Sequence, residues 1–213
     1  EHCAEMHYPN AAFWDRIAER YARTPIADEA SYQHKLSVTQ SYFRPEMDVL
    51  EIGCGTGSTA LVHAPFVKHI HAIDVSSKMV GIAQENARNS NVSNISFEHA
   101  SFDAFESSGD RFDVILGLSV LHLLEDREVA IAKIHRILRP GGVFLSSTAC
   151  LGDWFQIFKL IGPIGRAMGF LPLVRVFTAQ QLVESLESSG FVIEKSWQPG
   201  PRKAVFLIAR KPL

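Results

Sequence analysis

Gly53, Gly55 and Gly57, each separated by one residue and preceded by the apolar run Val49-Leu50-Glu51-Ile52, form the feature of this 213-residue chain that most directly suggests a ligand. Glycines let a backbone approach a ligand with no Cβ in the way, and a helix opening just after such a loop would offer unpaired N–H donors. The spacing is G-x-G-x-G, and Ser58 stands where a dinucleotide fingerprint carries its last glycine. Glu51 weakens a dinucleotide reading further, because a carboxylate beside the loop repels a pyrophosphate and pairs with an ammonium. Asp74 ends the run His69–Asp74, about twenty residues past the first glycine, where an acid can accept both hydrogen bonds of a ribose diol. Its bland alternative is an N-cap for the next helix, a task open equally to Ser76 or Ser77. Two carboxylates flanking a glycine loop point to a ligand with an amine and a ribose but no phosphates.

His122 is the best candidate for a general base, because it follows an apolar run at the end where such sheets hold their ligands; the competing reading is a structural histidine at a strand-to-helix turn. His99 has the same two readings, whereas His63, His69, His71 and His135 fall inside predicted helices or strands. Arg16, Arg20 and Arg23 read as a solvated helix face. Cys3, Cys54 and Cys150 are far apart and lack the spacing of a zinc site or a disulfide framework, so no metal is expected and reduced thiols in a cytoplasmic protein fit best.

The elements that must position these residues follow from periodicity. Phe13, Trp14, Ile17, Ala18 and Tyr21 recur at helical spacing, and a second helix is predicted over 28–42 before Pro45. Strands are predicted at 48–52, 69–73, 95–98, 112–116 and 143–147, alternating with helices at 58–65, 77–89 and 127–138, the last stopped by Arg139-Pro140-Gly141-Gly142. A helix over 178–189 precedes strands at 191–197 and 204–210, joined through Gln198-Pro199-Gly200-Pro201 as a hairpin. Alternation of this kind calls for a mainly parallel sheet covered by helices on both faces. The length fits one α/β domain over 1–213: a helical cover over 11–45, a core over 46–150, an apolar insertion over 151–177 and a closing helix and hairpin over 178–213.

Composition excludes other classes. The net charge of −2 is spread without a basic block, so nothing attracts nucleic acid. The longest apolar stretch, 154–177, is interrupted by Lys159, Arg166 and Arg175 and by several glycines and prolines, which argues against a membrane span. No basic segment followed by an apolar run opens the chain, consistent with a cytoplasmic location.

Four stretches together resemble the class I S-adenosylmethionine-dependent methyltransferases, in particular the ubiquinone and menaquinone methyltransferase-like branch that acts on small molecules. They are Val49–Gly57, Ala72-Ile73-Asp74-Val75-Ser76, Phe112-Asp113-Val114-Ile115 running to Leu121-His122, and Arg136–Gly142. The resemblance implies a Rossmann-like seven-stranded, mainly parallel sheet with an antiparallel last strand, and S-adenosylmethionine as cofactor, released as S-adenosylhomocysteine. It implies that Glu51 faces the methionine ammonium, that Gly53, Cys54, Gly55 and Gly57 line the methionine and ribose, and that Asp74 takes the ribose hydroxyls. Val75 and Met79 would pack on adenine, with Ser101 and Phe102 at its far edge and Gly117 or Leu118 offering backbone near the methionine. Many relatives have an aspartate for the adenine amino group where this chain has Ala100, which leaves Asp103 or packing alone for that task. Tyr21 and Tyr32 could close over the sulfonium, since an aromatic face attracts a cation. The apolar insertion suggests a small hydrophobic acceptor beneath a movable lid, or a homodimer surface. The rivals are an NAD(P)-dependent oxidoreductase and a catalytically inactive S-adenosylmethionine-binding protein.

Overall fold

Runs of β-branched and aromatic residues bounded by turn residues become strands, and the computed structural model orders them into one seven-stranded sheet. The structure describes residues 8, 10–107, 112–150, 174–200 and 202–213; the apolar insertion expected as a lid lies almost entirely outside them. The strands are β1 (Asp48–Ile52), β2 (His69–Asp74), β3 (Ile95–His99), β4 (Phe112–Leu118), β5 (Leu138–Thr148), β6 (Val192–Trp197) and β7 (Val205–Arg210). Their spatial order is β3-β2-β1-β4-β5-β7-β6, and only β7 runs antiparallel to its neighbours β5 and β6. The antiparallel last strand is thus present as expected. The order reverses direction between β1 and β4, and open α/β sheets hold ligands at the carboxyl edge of that switch point.

The helices are α1 (Ala11–Arg23), α2 (Glu29–Gln40), α3 (Ser58–His63), α4 (Ser77–Asn89), α5 (Arg127–Ile137) and α6 (Ala179–Ser188). Each starts where a side chain can take an orphan N–H or where the loop geometry forces it. Asp28, Ser76, Asp126 and Thr178 cap α2, α4, α5 and α6, and Thr178 with Gln181 forms a reciprocal capping box. Capping of α4 therefore falls to Ser76, which frees Asp74 from that role.

The sheet separates two apolar layers. Leu50, Ile52, Ile73, Ile115 and Phe144 pack with α5 and α6 on one face, and Val49, Ile70, Val114, Leu116, Phe206 and Ile208 form the other layer with Ala60 and Ala64. This full coverage explains why the strands read as continuous apolar runs rather than alternating ones.

One expectation requires correction: Arg139-Pro140-Gly141-Gly142, read as a helix stop, already belongs to β5. Leu138 pairs with Phe112, a register shift follows, and Gly141 N–H donates to the Lys211 carbonyl at 2.9 Å. The stop is real, but the chain leaves α5 directly into strand because β4 and the C-terminal segment both offer it partners.

Candidate functional site

The Gly53–Gly57 loop leaves β1 at its carboxyl end and closes on itself. Gly53 and Cys54 N–H both donate to the Ile73 carbonyl, at 2.8 and 3.1 Å, Gly55 N–H donates to Asp74 Oδ2 at 2.8 Å, and Gly57 N–H to the Cys54 carbonyl at 3.0 Å. These four amides are therefore engaged within the protein, and α3 beyond them is only six residues long. Four of the five loop amides thus bond within the protein, and the helix that follows opens at Gly57 with no side-chain cap.

The three glycines all have positive φ but do different work. Gly53 and Gly55 line a cavity. Gly57 is buried, and a Cβ there would lie 2.9 Å from the Ala83 Cβ and 3.0 Å from the Phe97 ring. Its missing side chain serves the close packing of loop, α4 and β3, not a ligand.

The cavity lies at the switch point over the carboxyl ends of β1, β2 and β4. Its wall comprises Ile52, Gly53 and Gly55 from β1 and its loop, and Ile73, Asp74, Val75 and Met79 from β2 and α4. Ala100, Ser101, Phe102 and Asp103 follow from the segment after β3, then Leu118, Ser119, Val120, Leu123, Leu124 and Glu125 after β4, and Asn10, Trp14 and Tyr21 around α1. Of the residues expected from the sequence, Tyr21, Gly53, Gly55, Asp74, Val75, Met79, Ser101, Phe102 and Leu118 meet on this wall, together with Ala100 and Asp103. Glu51, Cys54, Gly57, Gly117, Tyr32 and His122 lie outside the lining. Cys54 belongs to a core cluster, where burial pushes its thiol pKa up; Gly117 is packed against Phe144; and the Tyr32 hydroxyl lies 3.5 Å from Thr59 Oγ1 on the neighbouring helix.

The wall's electrostatics are one-sided. Asp74, Asp103 and Glu125 contribute carboxylates, and no lysine, arginine or histidine lies among the described lining residues. Asp74 is clamped, Oδ2 by Gly55 N–H and Oδ1 by Ser76 N–H at 2.9 Å, so its orientation is fixed before any ligand arrives. Burial raises its pKa and the two backbone bonds oppose that rise. Behind the loop, Glu51 is 3% exposed and its Oε2 has no hydrogen-bond partner. Burial, reinforced by Asp74, lifts its pKa to about 8. A buried acceptor without a donor is costly, and in a functional site it marks a place prepared for something else.

Helix α1 roofs the cavity through a contact that the sequence did not signal. Asp15 Oδ1 accepts from Ser76 Oγ at 2.6 Å and from Lys78 N–H at 3.1 Å. A carboxylate there meets the positive end of α4. This latch carries Asn10, Trp14 and Tyr21 over the opening, with Trp14 and Tyr21 edge-on at 6.4 Å and Tyr21 half exposed.

His122 sits in the short turn after β4, one residue before Leu123 of the lining, with its Nδ1 buried and unpartnered. Burial lowers its pKa to about 4, so the ring is neutral at physiological pH. His63, also buried with both ring nitrogens unpartnered, lies in a core against Phe43 and away from the cavity lining. No cluster of metal-ligating side chains occurs among the described residues.

A seven-stranded sheet of this order, with an acid-lined cavity at its switch point, defines an open α/β protein that holds a ligand at the carboxyl edge of its sheet. The methyltransferase domain family matches residues 43–196, and the chain belongs to it. It is 31% identical over 110 residues to the uncharacterized methyltransferase YcgJ of Bacillus subtilis, an alignment covering 52% of this chain and 44% of that protein. It is also 31% identical over 136 residues to the ubiquinone biosynthesis O-methyltransferase of Agrobacterium fabrum, covering 63% and 48%. The chain thus spans less than half the length of these relatives. Among solved structures, the N-methyltransferase NodS of Bradyrhizobium japonicum in complex with S-adenosyl-L-homocysteine superposes with a TM-score of 0.70 at 23% identity, covering 97% of this chain and 100% of that one.

Proposed function

We propose that this domain binds S-adenosylmethionine in the cavity at the switch point and methylates a small, hydrophobic acceptor. The observation that carries the reading is the pair of carboxylates around the glycine loop: Asp74, half-buried and oriented by two backbone N–H groups, and Glu51, buried with an unpartnered oxygen. Such a site suits a ligand with a ribose diol and an ammonium, and it opposes a pyrophosphate, which meets carboxylates and no cation on the described wall.

When bound, the cofactor supplies an electrophilic methyl group on a sulfonium. The chain's residues bind, orient and exclude water. Asp74 has lone pairs left on both oxygens for the ribose hydroxyls, and Glu51 offers its unpartnered oxygen toward the ammonium. Val75, Met79 and Phe102 would hold the adenine by apolar contact, with Ser101 and Asp103 offering polar groups nearby. The acidic wall and the half-exposed Tyr21 ring favour a cation, and displacement of that kind is accelerated chiefly by alignment and a dry pocket. His122 is neutral but lies outside the lining and, with a pKa of about 4, is a weak base, so this reading calls on it only for an acceptor that must lose a proton. In this reading the acceptor takes the β4 flank of the cavity, away from the Met79–Phe102 flank that holds adenine.

Calorimetric titration tests the cofactor assignment: S-adenosylhomocysteine binds and NAD and NADP do not. Preference for either dinucleotide would overturn it. The latch gives a kinetic expectation: Asp15→Ala removes the tie between α1 and α4 and speeds dissociation of S-adenosylhomocysteine several-fold, on the order of 1 kcal/mol for a part-buried hydrogen-bonded contact. Stopped-flow displacement measures it, and an unchanged off-rate would show that α1 does not gate the site.

A further inference from the structure

Lys35 projects from α2 to the carboxyl end of β5, where its Nζ donates to Ser147 Oγ at 2.9 Å. Ser147 is buried and stands in register with Leu118 of β4, a residue of the cavity wall; its carbonyl accepts from Ser119 N–H, the next wall residue, at 2.6 Å. The ammonium is therefore anchored one strand away from the cavity, on its β4 flank and not on the Met79–Phe102 flank assigned to adenine. An ammonium has three donors, and Ser147 takes one. Among the described residues no carboxylate lies within ion-pair distance of it. Asp28 on the same helix is the nearest charge in electrostatic terms, and Asp28 lies 3.4 Å from Lys203 Nζ. Partial burial lowers the Lys35 pKa, and the more distant Asp28 opposes that shift without cancelling it.

Holding α2 on the sheet does not require a charge. A neutral side chain would bond Ser147 without the desolvation cost of an ammonium, and Tyr32 with Thr59, and Leu36 with Thr39 buried, already hold the helix down. The unused element is the positive charge itself.

We propose that Lys35 is the anchor for an anionic group of the methyl acceptor, a carboxylate or a phosphate, which makes the acceptor an amphiphile with a negative end and an apolar body. The inference rests on the reading of the cavity as the methyl-donor site, because only that reading makes the β4 flank the acceptor side. The otherwise acidic wall then contributes to selectivity. An anion is repelled from the Asp74–Asp103 side, is held at Lys35, and so orients the acceptor in one direction.

The test uses benzoate and phenyl phosphate as anionic probes and benzamide as the neutral match, titrated calorimetrically at fixed ionic strength with and without saturating S-adenosylhomocysteine. The expected result is that at least one anion binds tenfold or more tighter than benzamide, and that Lys35→Met brings it to the benzamide level while Lys35→Arg retains the preference. S-adenosylhomocysteine affinity stays unchanged in both variants, which also reports that they fold. In the wild-type protein, peptide mass spectrometry of acetic anhydride labelling reads the same contact directly: the preferred anion slows modification of Lys35 and benzamide does not. Comparison of the two anions identifies the headgroup. Anions that bind no tighter than benzamide, a preference that survives in Lys35→Met, or unprotected labelling would each overturn the proposal. Failure of S-adenosylhomocysteine to bind would overturn the donor-site reading instead, and the titrations without it would still decide whether Lys35 binds anions.

Discussion

Asp74→Ala is expected to weaken S-adenosylhomocysteine binding by about a hundredfold or more, because two charge-assisted hydrogen bonds to a ribose contribute roughly 1.5–3 kcal/mol each and about 1.4 kcal/mol is a decade in affinity. The carboxylate also ties Gly55 N–H and Ser76 N–H, so part of the loss could arise from a loosened loop. Two controls separate the causes. Asp74→Asn keeps an acceptor oxygen and the side chain's shape, and should lose about tenfold, the decade that about 1.4 kcal/mol represents. A ligand lacking the ribose 2′-hydroxyl should bind wild type more weakly and lose about tenfold less than the parent ligand in Asp74→Ala, since only the 3′-hydroxyl contact is left to remove. Fully additive losses would show that Asp74 organises the loop and never touches the ribose; unchanged affinity in a normally folded Asp74→Ala would remove it from the site altogether.

Asp74 could be found in the sequence because its position depends only on local order: an acid at the carboxyl end of the strand next to the glycine loop is set at the switch point by any parallel sheet. Val75, Met79, Ser101, Phe102 and Leu118 are implied by the family resemblance and not by any local pattern, although all lie near the carboxyl ends of β2, β3 and β4. The roof is different. Asn10 and Trp14 reach the cavity through the Asp15–Ser76 bond, which joins residues 61 positions apart, and no pattern within α1 announces it. Ser119 and Val120 enter because the chain turns through a left-handed residue at Ser119, with φ of 62°, a conformation that serine does not advertise. The three loop glycines show the opposite limit. They look equivalent in sequence, and only packing distinguishes Gly57, pressed against Ala83 and Phe97, from Gly53 and Gly55 on the wall. The beginning of β5 was hidden likewise, because Gly141 pairs with Lys211 at the far end of the chain.

Glu51→Gln is expected to act in opposite directions on the empty and the occupied protein. In the empty protein burial raises the Glu51 pKa from 4.5 to about 8. The folded state then holds a proton across that interval which the unfolded chain does not, so the contribution to stability is full below pH 4.5 and is lost as pH rises through 8. Glutamine is always neutral and escapes this loss. The variant should therefore melt above wild type at pH 8.5 and together with it near pH 4.5. Binding reverses the ordering. An ammonium near Oε2 favours the ionised carboxylate, so at pH 7 the wild type must release up to one proton when the ligand enters. Its affinity should rise between pH 6 and 8 by as much as about tenfold per unit, and then fall as an α-amino group deprotonates near pH 8. Calorimetry of S-adenosylhomocysteine binding in phosphate and in Tris at pH 7 measures the released proton as a difference in heat. Glu51→Gln should abolish that difference, flatten the rise, and bind more weakly than wild type by an amount that grows with pH. A variant that is destabilised equally at every pH, with proton release intact, would make Glu51 a packing residue and leave the ammonium to other partners.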